Sequence, residues 1–303
     1  MTSNLPPLSF CQLLHKISLI DPILATVPLA NRPDPPKATS KLRAWFARLR
    51  QEEDLHPETG PIFFRLLFPE EDVARKYGLK ETRLARLLVS EFGVDVEHRG
   101  RTLVEWDEWT RSSSDAKVGC LGSEVVGVLE PVYTVRHDTP TKFGVRPNTP
   151  MQTHDPGRLT LNRADELLTE LARHCIFSDV PKTQMAWRPQ KAIIHDLYCH
   201  LSPIEAGFMT QIILKDLKPM LYPLSVLNTP QALKKYNTNS VHMLTIYEVM
   251  QEWDPEMNRL YRNRARLDEA AQVIWQMRSG QPSPQDQIKS FTPKLGTPIQ
   301  VRH

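Results

Sequence analysis

The residues of this chain best suited to chemistry are cations set three apart. Lys80, Arg83 and Arg86 follow Gly78, and Lys215 and Lys218 form a second group. Residues three apart share one helix face, so each group would present a basic strip. Such strips neutralise phosphates, lysine as a point charge and arginine as a planar fork. The same cations also fit an ordinary solvated helix face. Lys215 and Lys218 equally fit the negative end of a helix dipole. Lys41, Arg43 and Arg50 are weaker members of the set.

Other chemistry finds less support. His195, Cys199 and His200 in HDLYCH have a spacing that could touch a metal, but no partner cluster stands elsewhere. An ordinary half-buried helix explains them better. Cys11, Cys120, Cys175 and Cys199 contain no CxxC pair, which argues against a zinc ribbon or disulfide framework. They suit a reducing compartment. Ser112 to Ser114 and Cys120 show no triad logic. No catalytic residue, metal ligand or cofactor site is assigned. With 12 Gly against 26 Pro, the chain lacks the makings of a glycine-rich phosphate cradle. A formal charge of +3 means that nucleic-acid binding would need local clustering of cations. No apolar run approaches a membrane span, so no membrane partner is expected. MTSNLPPLSF lacks a basic region followed by an apolar core, so no secretory signal is evident.

The elements that must position these residues are helices, and the expected fold is all-α. Residues 1–39 form an N-terminal arm and Pro-rich linker. Ser40 caps a helix with Leu42, Trp45, Phe46 and Leu49 inward. Pro69, Glu70 and Glu71 start a second helix, which Gly78 ends. Tyr77 is expected to pack, and Gly78 to cap first and admit DNA second. A third helix places Leu84, Leu87, Leu88 and Phe92 on one side and stops at Gly93. Residues 94–158 are a loop-rich insert region with one apolar island, Val125 to Leu129. Within it, VEHRGRTLVEW fits a strand pair or a helix edge, and Trp106 and Trp109 fit packing.

Thr160 caps a helix with Leu161, Ala164, Leu167, Leu168, Leu171 and Cys175 inward. The run Ser202-Pro203-Ile204-Glu205 is the clearest start signal: Ser caps, Pro takes the first position, and Glu closes a capping box. Ile204, Phe208, Met209, Ile212, Ile213 and Leu217 form its wide buried face, with Lys215 and Lys218 in its last turn and Pro219 ending it. Further helices are expected at Pro230–Tyr236, at Val241–Trp253, and from Pro255 towards Met277. A polar linker follows, and FTPKLGTPIQV fits an extended strand. The helical domain therefore spans 40–278, and 279–303 leads elsewhere.

Three segments, in order, resemble the N-terminal DNA-binding domain of eukaryotic ATP-dependent DNA ligases, nearest to DNA ligase IV of fungal type. KYGLKETRLARLL is similar to the family's first landmark, preceded here by Leu67-Phe68-Pro69 and Arg75. LTLNRADELLTEL and SPIEAGFMTQIILKDLK look like its later helices. FTPKLG is similar to the short strand that opens the adenylation domain. The chain departs from the family after KDLK, where Pro219 and Met220 replace an apolar residue and a glycine.

The resemblance implies phosphate contacts from Gly78, Lys80, Arg83, Arg86, Lys215 and Lys218. It implies duplex DNA with nicks or ends as a sequence-independent partner, a nuclear location, and a part in repair or recombination (non-homologous end joining for type IV). The family's full-length enzymes use ATP and Mg²⁺ through a K-x-D-G lysine that becomes covalently adenylated. No K-x-D-G occurs in these 303 residues. The expectation is a chain truncated before the adenylation domain, which grips DNA and does not seal it alone. A helical protein-interaction scaffold derived from the ligase module is the alternative.

Overall fold

Leucines and alanines recurring at helical spacing decide this architecture. The structure, a computed structural model, describes Arg43, Phe46, Ala47 and residues 58–93, 99–105, 120–138, 159, 161–182, 188–199, 201–217, 220, 246–264 and 266–280. Among them are the α-helices α1 Thr59–Leu67, α2 Glu81–Phe92, α3 Arg99–Val104, α4 Leu121–Asp138, α5 Leu161–Arg173, α6 Gln190–Tyr198, α7 Pro203–Leu214, α8 Ile246–Trp253, α9 Met257–Arg264 and α10 Leu267–Arg278. A 3₁₀ turn, Pro69–Glu71, follows α1, and the described residues contain no strand. The fold is all-α, as expected. The N-terminal arm, the Pro230–Tyr236 helix, Lys218 and the strand at FTPKLG lie outside the described residues.

α5 follows its sequence pattern closely. Leu161, Ala164, Leu167, Leu168 and Leu171 are all buried. α7 carries the capping box: the Ser202 amide donates to Glu205 Oε2 at 2.6 Å, and the Ser202 side chain accepts from the first turn. Phe208, Met209, Ile212 and Ile213 are buried on it, but Ile204, in the first turn, is 37% exposed. Gly93 ends α2 in the left-handed region, φ 58°. An aromatic centre gathers Phe46, Phe63 and Phe64 around Trp253, with ring centroids 5.1, 6.0 and 5.6 Å away. It ties α1 to α8, and α1 also packs on α10.

Several elements differ from expectation. Residues 94–158 are not simply an insert of loops, because α3 and α4 lie within them. α4 makes the most extensive helix–helix contact, against α7. Two glycines permit it. A Cβ on Gly122 would sit 2.6 Å from the Gly207 carbonyl, and one on Gly207 would sit 2.7 Å from the Gly122 carbonyl. Gly122, Gly127 and Pro131 disguise α4 in sequence, since Gly and Pro ordinarily punctuate helices. The single run expected from Pro255 to Met277 is two helices. Arg266 is extended between them and folds onto Asp268 at 2.8 Å.

The helix expected from Pro69 to Gly78 is absent. The 3₁₀ turn ends at Glu71, and residues 72–80 are irregular. Burial there alternates: Arg75, Tyr77 and Leu79 are buried, while Lys76, Gly78 and Lys80 are exposed. That two-residue period is the mark of extended chain. Gly78 is therefore not a helix cap, and its φ of +63° belongs to a bend in that segment.

Candidate nucleic-acid interface

The segment between Asp72 and Lys80 has no helical hydrogen bonds of its own, so its shape must come from side chains. Arg75, only 4% exposed, supplies most of it. Its Nε pairs with Asp72, and its Nη1 lies 2.6 Å from Asp165 Oδ1 on α5. Arg65 on α1 reaches the other Asp165 oxygen at 2.6 Å. Tyr261 on α9 donates to Glu71 at 2.6 Å. The turn after α5 holds the segment from the side. Its Asp179 amide and Ser178 hydroxyl both donate to the Ala74 carbonyl, at 2.9 and 3.0 Å.

Lys215 closes the arrangement. It is not in the last turn of α7, as its sequence position suggests, but is the left-handed residue just beyond it, φ 64°. The reversed backbone turns its amine towards the segment, where it donates to the Asp72 carbonyl. It also stands 3.9 Å from the Asp72 carboxylate and 5.4 Å from the centre of the Tyr77 ring. Burial lowers its pKa to about 8, against the favourable charge of Asp72. Tyr77 is buried beneath it, and burial raises that phenol to about 12.

Several cations line the exposed side of this frame, with Glu70 and Glu81 among them. Lys80 takes the N-cap position of α2 in an extended conformation, and Arg83 and Arg86 point outward from the helix. Arg83 Nη2 donates to Gln190 Oε1 at 2.8 Å, and Lys191 Nζ to Ser90 at 2.9 Å. These two bonds join α2 to the start of α6. Beside them lies an open cleft of about 440 Å³, lined in part by Ser90, Glu91, Lys191 and His195.

Gly78, Lys80, Arg83 and Arg86 are all exposed along this segment and the start of α2, and Lys215 is a half-buried brace behind the segment. Lys218 lies outside the described residues. Sequence reasoning missed Lys76 and Lys191, both exposed beside this surface. Lys76 falls within the alternating run of residues 75–80, which marks it as outward-facing. Lys191 has only the nearby Pro189 as a helix-start signal. Nothing local announces the Arg75–Asp165 pair, whose members are 90 residues apart.

Of the HDLYCH run, His195 and Cys199 perform packing work, and His200 lies outside the described residues. His195 Nδ1 pairs with Glu91, and the Cys199 thiol lies 3.6 Å from the Asp196 carbonyl. Burial pushes that thiol up to about 11, so it is a poor nucleophile and metal ligand at neutral pH. Among the described residues no three His, Cys, Asp or Glu side chains group as a metal site. No K-x-D-G lysine occurs in the sequence.

A family model described as DNA ligase N terminus matches residues 8–229. Comparison with the curated proteins gives no match.

Proposed function

The chain belongs to the DNA ligase N-terminus family, and we propose that it is the duplex-gripping region of an ATP-dependent DNA ligase. The supporting observation is the basic junction at the start of α2, where Lys76, Lys80, Arg83 and Arg86 are exposed on a segment that buried side chains hold in place. No side chain caps α2, so its first-turn amides can add to the attraction for a phosphate. Contacts of this kind neutralise the DNA backbone, release counterions and position a duplex without reading its sequence. Sequence-blind grip is what sealing nicks or broken ends requires. The residues proposed to meet phosphate are Lys80, Arg83 and Arg86, with Gly78 allowing close approach.

The finer reading is a type IV enzyme acting at double-strand breaks in the nucleus, by non-homologous end joining. Its support is the KYGLKETRLARLL segment together with SPIEAGFMTQIILKDLK. In that reading ATP and Mg²⁺ belong to an adenylation domain of the same ligase.

Equilibrium binding to nicked duplex, titrated with salt, tests the grip. Each phosphate contact contributes about 0.9 to the slope of log K against log salt. Lys80→Glu, Arg83→Glu and Arg86→Glu together are expected to weaken binding and flatten that slope, with only the small loss of stability that removing the exposed Arg83–Gln190 bond brings. Salt-independent binding, or a triple variant that binds as tightly as the parent, would sink the proposal.

A further inference from the structure

The turn after α5 carries two large apolar side chains outward. Ile176 is 75% exposed and Phe177 is 70% exposed. Exposed apolar residues are common singly, but a neighbouring pair on a fixed turn calls for an occupant. This turn is fixed. Ser178 N–H bonds the Cys175 carbonyl at 3.2 Å, and Ser178 and Asp179 both bond Ala74. The Lys76 amide in turn donates to the Ser178 hydroxyl at 3.4 Å. Cys175 packs beneath, where a Cβ on Gly78 would meet its sulfur at 3.2 Å. The apolar pair is thus bonded to the same segment that carries the basic junction. Val73, 56% exposed, lies on that segment one residue before Ala74.

Charge decides the occupant. Lys76 and Lys80 on the adjoining segment, Arg83 and Arg86 on α2 and Lys182 beyond the turn are exposed, against Glu70, Glu81 and Asp179. A protein partner's apolar patch gains nothing from that excess of cations, whereas a polyanion with flat apolar faces inside it does. Duplex DNA has this composition, phosphates outside and base faces within. Apolar wedges flanked by cations can enter a base step where stacking is already broken. A nick or an end offers such a step at little cost.

We propose that Ile176 and Phe177 form a wedge that packs against exposed base faces at a DNA break while the cations beside it hold the phosphates. This rests on the grip described above and adds to it a preference for interrupted over continuous duplex. Because the wedge neutralises no phosphate, it contributes affinity without contributing to the salt slope.

Two variants of the full chain test it, titrated with nicked and with continuous duplex of the same sequence. Phe177→Ala is expected to weaken binding to nicked duplex roughly 10-fold, with the salt slope unchanged and continuous duplex little affected. Phe177→Trp supplies a reporter whose emission is expected to be quenched by nicked duplex. Phe177 is exposed, so neither change should disturb the core. If the parent binds with the expected salt slope but Phe177→Ala binds equally well and Phe177→Trp emission does not change, the wedge is overturned and the grip stands. If the parent binds no duplex, both are overturned.

Discussion

Lys215 and Asp72, 143 residues apart in sequence, meet through both backbone and side chain: the amine donates to the Asp72 carbonyl and lies 3.9 Å from its carboxylate. The contact brings the IILKDLK block against the start of the KYGLKE block. A lysine that looks like a phosphate contact in sequence is used here as an internal brace.

The lowered pKa of that brace gives a pH signature. Between the folded value, about 8, and the unfolded value of about 10.4, the unfolded chain binds more protons. Stability from this group therefore rises across that window, by up to about 3 kcal/mol, and is unaffected by it below the window. Denaturant unfolding between pH 7.5 and 10 should show the rise relative to Lys215→Met. Parallel profiles for parent and variant would refute the assignment.

Removing Arg75 should be among the costliest single changes. Arg75→Met leaves Asp72 and Asp165 facing each other without their shared cation, and breaking a buried pair this way costs about 3–5 kcal/mol. Asp165 keeps Arg65 at 2.6 Å, so the lower end of that range is expected. Urea unfolding measures it. Adding Asp72→Asn to Arg75→Met should recover part of the loss; an additive further loss would show that the pair is not the cause.

The helix crossing makes a prediction independent of the charges. Gly207→Ala would place a methyl 2.7 Å from the Gly122 carbonyl and 2.6 Å from Val126 Cγ2. A backbone oxygen cannot swing aside, so α4 and α7 must separate, at a cost of about 1–3 kcal/mol. Gly127→Ala, on α4 with open space around its Cβ position, should be neutral or stabilising. Melting temperatures of the two variants moving together would contradict the crossing.

Gly78→Ala faces two penalties, a positive φ and a contact with the Cys175 sulfur at 3.2 Å. The backbone part alone is about 1–2 kcal/mol. Cys175→Ala should relieve the contact and leave the backbone part, so the double variant should remain less stable than Cys175→Ala alone. Equal stability of those two would show that strain at this φ is negligible.

The helices whose cores face one direction were legible in sequence, because periodic leucines and a capping box act locally. α5 and the start of α7 illustrate this, as does the stop at Gly93. α4 was obscured because its glycines serve a close crossing with a helix far along the chain, and a lone sequence shows the glycines but not the crossing. The segment at residues 72–80 was obscured for a related reason. Pro69, Glu70 and Glu71 are sound local helix signals, yet Arg75 and Asp72 gain more from Asp165 and Lys215 than a helix could offer. Lys80, Arg83 and Arg86 were visible as a strip because they lie on a regular helix. Their neighbours Lys76 and Lys191 belong to other segments, which only the fold assembles.

The ion-paired frame around Arg75 also bears on the order in which the molecule can fold. Residues 72–80 contain no helix and take their shape from α1, α5 and the end of α7. Helices form quickly from neighbours, whereas contacts across 90 or 143 residues wait for loop closure. The surface proposed to meet DNA is thus expected to set last, after the bundle is complete. A chain that has misassembled anywhere along these supports would have helices but no grip, so competence to engage a break would itself certify a finished fold.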